Sequence, residues 1–116
     1  MMPQMPATSA YVSAKHGLEG LSKVVALEGA DHGVTSNCLN PAYVRTPLVE
    51  KQVADQARTH GIAEEEVLEQ IMLEPLAIKR LVEVDEVAAM ALLLCSPAAT
   101  SITGCSLPVD GGWTAH

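Results

Sequence analysis

The chain is short of positive charge: 7 Lys and Arg stand against 14 Asp and Glu, for a formal net charge of −7 over 116 residues. That balance argues against a polyanionic partner, so neither nucleic acid nor an anionic membrane surface is expected as a ligand. Long apolar runs are missing too. No stretch reaches the roughly 18 residues that a membrane span needs, and Met1-Met2-Pro3-Gln4-Met5 has neither the basic start nor the apolar stretch of a signal peptide. These absences predict an acidic, soluble, cytoplasmic protein. Cysteine is sparse and odd in number. Cys38, Cys95 and Cys105 are widely spaced among small or apolar neighbours, which suits reduced core thiols better than disulfides or a zinc site. His16, His32, His60 and His116 lack HxxxH or HxH spacing and have no cysteine at ligand distance along the chain, so no metal site is expected.

What the chain does have is helical periodicity. From Ala10 to Ala30 there is no proline, and Ala14, Leu18, Leu21 and Val25 recur at helical spacing, with Ala10, Gly17 and Val24 widening the stripe. This predicts one long helix, with Ser9 able to cap its start and Gly33 able to end it. Gly17 and Gly20 each weaken a helix by about 1 kcal/mol relative to alanine, which suggests close packing against another helix or a sheet. Val34 to Asn40 reads as a short strand stopped by Pro41. A helical or mobile segment follows from Thr46-Pro47 to His60. Glu64, Glu65 and Glu66 open another helix, where the helix dipole favours acidic residues, with Val67, Ile71 and Met72 on one face. Val84 to Cys95 is a third clear helix, with Val87, Met90, Ala91 and Leu94 on one face and Asp85-Glu86 in its first turn. Gly104 to Val109 is a second short strand that Pro108 confines to a sheet edge, and Asp110-Gly111-Gly112 turns away from it. No repeat, low-complexity run or internal linker is evident, and the length suits one small domain.

Tyr11-Val12-Ser13-Ala14-Lys15 places a phenol and an ammonium four residues apart, on one face of the first helical turns. An ammonium so placed stabilises a phenolate, the state through which a tyrosine takes or gives a proton. By spacing alone, the pair reads as a solvated pair on a helix surface, and only its context favours the proton-transfer role.

The surrounding sequence adds order. Ser9-Ala10-Tyr11-Val12-Ser13-Ala14-Lys15-His16-Gly17-Leu18 is followed by a strand leading into Asn40-Pro41-Ala42-Tyr43-Val44-Arg45-Thr46-Pro47. Ile102-Thr103-Gly104 and Val109-Asp110-Gly111-Gly112-Trp113 come last. Together these segments resemble the C-terminal half of the short-chain dehydrogenase/reductase family, whose marks are Tyr-x-x-x-Lys, Pro-Gly-x-Val-x-Thr, and Thr-Gly followed by Val-Asp-Gly-Gly. Ala14-Lys15-His16-Gly17-Leu18, Thr46 to Gln52, Asp55 to Arg58 and Gly111 to Ala115 look like the D-3-hydroxybutyrate dehydrogenases within it, which interconvert 3-hydroxybutyrate and acetoacetate with NAD.

The resemblance implies an α/β fold: the C-terminal part of a doubly wound Rossmann-type sheet, here mostly helical with about two short parallel strands. Residues 1–116 would form a partial dehydrogenase domain without the N-terminal dinucleotide-binding half. Tyr11 would be the catalytic acid/base, and Lys15 would support its phenolate and hydrogen-bond the nicotinamide ribose. Val44 would meet the carboxamide through its backbone, and Thr46 would contact the same end of NAD through its hydroxyl. Gln52 would bind the carboxylate of a small hydroxy or keto acid, and Trp113 would close that pocket. The family's dimer-forming helix corresponds to Ala10–Ala30, which implies a homo-oligomer and apolar surface left exposed on that helix in a monomer.

The departures are equally specific. The family's glycine after Pro41 is Ala42, which would be strained at a positive φ. The hydroxybutyrate enzymes place a carboxylate-holding lysine at the position of Thr8, and loss of that cation weakens anion binding. Met1 to Pro6 departs from the family's approach to the tyrosine, and the family's catalytic serine falls before Met1. No Gly-x-x-x-Gly-x-Gly phosphate-binding turn occurs in the chain. Three readings follow. One is an oxidoreductase by family that is inactive as this chain alone, a second is a noncatalytic module that self-associates or binds a partner through its long helix, and a third is complementation by a separately encoded N-terminal half.

Overall fold

In a computed structural model, the described residues are 6–116, with side chains from Ser9 onward. Helix α1 spans Pro6–Gly29 and passes into a 3-10 turn at Ala30–His32, which Gly33 ends in the left-handed region at φ +70°. Proline lacks an N–H, but the first helical turn leaves its N–H groups unpaired in any case, so α1 begins at Pro6, earlier than predicted. Ser9 therefore sits inside the helix and does not cap it.

The chain divides into two compact units, one holding the segment up to Cys38 with Leu94–Leu107, the other Leu39–Leu93 with Pro108–His116. In the first unit, the side of α1 turned inward carries Ser22 and Ala26, buried, with Glu19 and Gly29 half-buried. These follow helical spacing but are small or polar. The Oγ atoms of Ser22 and Ser36 lie 2.8 Å apart, and Ser106 donates to a Glu19 carboxylate oxygen at 3.0 Å. A Cβ added at Gly29 would come within 2.9 Å of the Val34 Cβ, so glycine allows the chain to fold back there. The leucine-rich side is exposed, as expected, at Leu18, Leu21 and Val25, and Leu27, on the opposite side from Leu18, is 81% exposed. The glycines carry a correction, because a Cβ at Gly17 or Gly20 would meet nothing within 4 Å and no described residue makes the close approach inferred for them.

Strands β1 (Cys38–Pro41) and β2 (Ser106–Val109) pair in parallel. Cys38 N–H donates to the Cys105 carbonyl at 2.9 Å and Ala42 N–H to the Val109 carbonyl at 3.1 Å, so the ladder advances in one direction along both strands. Both strands are shorter than their sequence limits. Val34 N–H donates back to the Gly29 carbonyl, and Ser36 N–H donates to the Thr103 hydroxyl, leaving the approach to β1 outside the ladder. Asn37 completes that bracket, donating to the Ile102 carbonyl at 3.0 Å and accepting from Cys105 N–H at 3.1 Å.

In the second unit, α2 covers Pro47–His60. The Thr46 side chain accepts from Val49 N–H at 3.3 Å, Pro47 occupies the first turn, and Gly61 at φ +65° ends the helix. Helix α3 (Glu64–Val67) widens into a π-turn at Leu68–Met72, where Leu73 N–H donates to the Leu68 carbonyl at 2.7 Å. The wider turn brings Val67 and Met72 to the interior, five residues apart, and rotates Ile71 out to 40% exposure. The single face read for Val67, Ile71 and Met72 is thereby corrected. Val53, Val67 and Met72 form one apolar cluster and Leu73, Leu76 and Leu81 a second, with Tyr43 and Val49 packed against both. Full burial of side chains like Val67 and Leu76 contributes about 2 kcal/mol each. The surface ion pairs contribute far less, so these clusters hold the unit together.

Helix α4 (Val84–Leu94) has no fully buried residue. Val87, Met90 and Leu94 are half-buried, but Ala91, placed on the same face by its spacing, is exposed. Its start is fixed by charge: Glu86 accepts from Glu83 N–H at 2.7 Å and takes both terminal nitrogens of Arg80 at 2.8 and 3.0 Å. Cys38 and Cys105 are half-buried free thiols, but Cys95 is exposed rather than part of a core, because it follows the last turn of α4. Among the described residues no helix is long and apolar enough to cross a membrane, and no group of three His, Cys, Asp or Glu is placed to hold a metal.

The Arg80 hydrogen bonds, then the Glu83 N–H, lower the Glu86 pKa from 4.5 to about 2. A carboxylate whose pKa is lowered by folding stabilises the fold above its unfolded value and loses that contribution as pH falls through the folded value. Glu86→Gln should therefore lower the Tm at neutral pH, and thermal melts should show the gap from the parent closing as pH falls from 4.5 towards 2.

Candidate active site

Tyr11 and Lys15 belong to the first unit, and helix α1 brings them together as their spacing requires. Tyr11 is 64% exposed, and Lys15 Nζ stands 5.4 Å from the centroid of its ring. The ammonium thus lies over the aromatic face, a cation–π arrangement that keeps it near the phenol while both remain open to an incoming molecule. One turn along, His16 Nδ1 is 2.9 Å from the Val12 carbonyl, engaged with the helix's own backbone. Thr8 lies in the first turns of α1 with its side chain outside the described residues, as are Met1 to Met5 altogether.

Val44, Thr46, Gln52 and Trp113 belong to the second unit. Val44 forms an isolated parallel bridge with Val82: Val82 N–H donates to the Tyr43 carbonyl at 2.9 Å, and Arg45 N–H donates to the Val82 carbonyl at 2.8 Å. In that pattern the bonded groups belong to the residues flanking Val44. Its own N–H and C=O point to the opposite side, where no hydrogen bond to a described residue takes them. One donor and one acceptor side by side match the needs of a primary carboxamide. The Thr46 oxygen accepts from Val49 N–H while its own proton stays available to donate. These groups fit the nicotinamide end of a dinucleotide. Residues for its pyrophosphate are another matter, since the chain contains no glycine-rich phosphate-binding turn.

The substitution at Ala42 carries no strain. Every described non-glycine residue has a negative φ, and Ala42 packs its methyl against the Leu73, Leu76 and Leu81 cluster. Gln52 lies exposed on α2, beside a surface row in which Lys51 and Arg58 both engage Asp55. The Lys51 hydrogen bond, chiefly, holds the Asp55 carboxyl below its ordinary value. Trp113 stacks on Tyr43 with ring centroids 6.1 Å apart and an interplanar angle of 29°. Its indole borders a hollow of about 240 Å³ shared with Asn40, Pro41 and Ala42.

Two residues of this site escaped sequence reading. Tyr43 occupies a variable position of the motif, and only its aromatic character could have marked it. Asp110 stands in the Val-Asp-Gly-Gly mark and in a turn without a role of its own, whereas its carboxylate accepts from Gly112 N–H at 3.0 Å, Thr114 N–H at 3.1 Å and the Thr114 hydroxyl at 2.7 Å. An Asp with a threonine four residues on was the available signal.

Comparison with known proteins follows the same segments. The sequence model of the family described as Enoyl-(Acyl carrier protein) reductase matches residues 2–114. The chain is 54% identical over 111 residues to the D-beta-hydroxybutyrate dehydrogenase of Rhizobium meliloti, covering 96% of this chain and 43% of the relative. It is 46% identical over 108 residues to the enzyme of the same name from Cupriavidus necator, covering 93% of this chain and 42% of the relative. Among solved structures, a short chain dehydrogenase family protein from Francisella tularensis superposes with a TM-score of 0.86 at 27% identity, over 100% of this chain and 46% of the other. A protein from Agrobacterium tumefaciens assigned as a 2-deoxy-d-gluconate 3-dehydrogenase and solved with bound NADP gives 0.75 at 36% identity, over 91% and 39%. The chain spans less than half the length of each of these relatives.

Loss of the cap at α2 has a definite expected cost. Thr46→Ala should reduce stability by about 1 kcal/mol, read as a lower urea midpoint with an unchanged slope, while Thr46→Ser should restore most of the loss.

Proposed function

The chain belongs to the short-chain dehydrogenase/reductase family, and from that premise we propose that it carries the proton-transfer and nicotinamide-contacting part of an NAD-dependent 3-hydroxybutyrate/acetoacetate oxidoreductase. The observation that carries this reading is the Tyr11–Lys15 pair, with the ammonium 5.4 Å from the ring centroid on an exposed helix face, in a sequence 54% identical to a D-beta-hydroxybutyrate dehydrogenase. On this reading residues 1–116 correspond to the C-terminal half of a dehydrogenase domain.

Each residue then has one task. In the oxidative direction Tyr11, as phenolate, takes the proton of the substrate hydroxyl, and in the reductive direction it returns that proton to the carbonyl oxygen. Lys15 stabilises the phenolate and hydrogen-bonds the nicotinamide ribose. Val44 offers its free N–H and C=O to the carboxamide, and Thr46 donates its hydroxyl proton at the same end. The nicotinamide, when bound, accepts or gives the hydride at the carbinol carbon, which balances the proton moved by Tyr11. Gln52 binds the substrate carboxylate through its amide N–H groups, and Trp113 closes the apolar side. With Thr8 where the hydroxybutyrate enzymes carry a lysine, a neutral amide holds the anion without that cation, and affinity is weaker.

The chain by itself is proposed to be inactive, since it holds neither the family's serine nor residues for the pyrophosphate. Purified as 116 residues, it should show no NAD-dependent oxidation of 3-hydroxybutyrate by absorbance of the reduced cofactor. Turnover that disappears in Tyr11→Phe would overturn the inactivity and establish the role of the tyrosine together.

A second reading rests on the leucines of α1. Leu18, Leu21 and Val25 share one face of α1 and are exposed at 51%, 59% and 38%, an apolar face of the kind that marks an interaction surface. A noncatalytic module that associates with a second copy through this helix accounts for that surface. Sedimentation showing a concentration-dependent dimer in the parent chain, lost in Leu21→Glu, favours association. A strictly monomeric parent rejects it.

A further inference from the structure

The tail from Asp110 to Thr114 is fastened at every step. Gly111 and Gly112 adopt φ +61° and +92°, and the Gly111 carbonyl accepts from Ala77 N–H and Ile78 N–H, both at 2.8 Å. A Cβ at Gly111 would lie 2.9 Å from the Ile78 carbonyl oxygen and 3.1 Å from Leu76 Cδ2, so the turn is pressed against the second apolar cluster and the segment between Leu76 and Leu81. Beyond the glycines, the peptide N–H groups of Gly112, Trp113 and Thr114 all end on Asp110: the first and third on its carboxylate, the second on its carbonyl at 3.1 Å. The Thr114 hydroxyl adds a bond of 2.7 Å to the oxygen that its own N–H already uses. The backbone on either side of Trp113 is thereby held by one carboxylate, and from that closed turn its ring reaches Tyr43 and the hollow beside Ala42.

We infer that Asp110, acting through Thr114, is a positioning residue for Trp113: it fixes the indole against Tyr43 and so sets the tail-side wall of the proposed substrate site. Placement of the hollow supports this. It opens past the carboxyl end of β1 and beside that of β2, the region where open α/β sheets receive small ligands. An indole of one fixed orientation there selects substrate shape, whereas a mobile one would only cover it. The ionised carboxylate suits this task because it is acceptor-only and takes three donors at once.

The part played by the wall rests on the functional reading above, but the seat of Trp113 does not, and the two can be separated. Trp113 is the sole tryptophan, so its emission reports on this ring alone. In the full chain, Thr114→Val removes the hydroxyl bond and leaves the peptide bonds in place. The expected result is emission shifted to longer wavelength and stronger acrylamide quenching, with the far-UV circular dichroism of the parent. Thr114→Ser should restore parental emission, and Asp110→Ala should give a larger shift than Thr114→Val. Tyr43→Leu, which removes the stacking partner, should reproduce the shift with the turn intact. Unchanged emission and quenching in both Thr114→Val and Asp110→Ala overturn the inference, as does a shift that Thr114→Ser fails to restore. Titration with acetoacetate tests the wall: a parental emission response that needs more ligand in Thr114→Val supports both claims. A shifted Thr114→Val with no acetoacetate response in any chain leaves the positioning role standing and rejects the substrate reading.

Discussion

The parallel pairing of β1 with β2 is the constraint from which the second unit's functional geometry follows. Parallel strands send both chains out at the same end. Since Ala42 N–H is already bound to the Val109 carbonyl, the next residues on each side, Tyr43 to Thr46 and Asp110 to Trp113, must leave as neighbours. An antiparallel pair would have sent them to opposite ends. The stack of Tyr43 on Trp113, the hollow beside Ala42 and the free backbone groups of Val44 are all downstream of this one register.

That register also explains the investment in otherwise ordinary turns. Tyr43 lies between both apolar clusters and the tail, so the packing of α2 and of the π-turn reaches the indole through its side chain, beside the main-chain link from Gly111 to Ala77 and Ile78. Arg80, Glu83 and Glu86 fix the start of α4 immediately after Val82, the residue that bridges to Val44. The short bridge is therefore held by a core on one flank and by a charged cap on the other, which is how a brief pairing can hold a defined backbone geometry.

Much of this was legible in the residues. Helix α1, its glycine end at Gly33, the Thr46-Pro47 start of α2 and both strands follow from period, capping and turn chemistry, and the family from three ordered motifs. What was illegible has physical causes. A π-turn leaves no mark that separates it from an α-helix, so Ile71 was placed on the wrong face. A helix can bury its small residues and expose its large ones, so the glycines at 17 and 20 suggested a contact that no described residue makes. Ala42 seemed strained only through the glycine that the family carries there, while its own φ is ordinary. In the candidate site, Tyr11, Lys15, Val44, Thr46 and Trp113 are named by motifs, whereas Tyr43 and Asp110 act through neighbours that only the fold supplies.

The inward side of α1 is built from Ser22, Ala26 and Gly29 rather than from its leucines. Conformational and colloidal stability are thereby assigned to different residues of the same helix. Changes among the small residues alter whether the first unit holds its shape, whereas changes among the exposed leucines alter only the apolar surface that α1 presents to solvent. The two sets of residues can therefore change independently, so substitutions on the exposed side leave the contacts that hold α1 to its own unit in place.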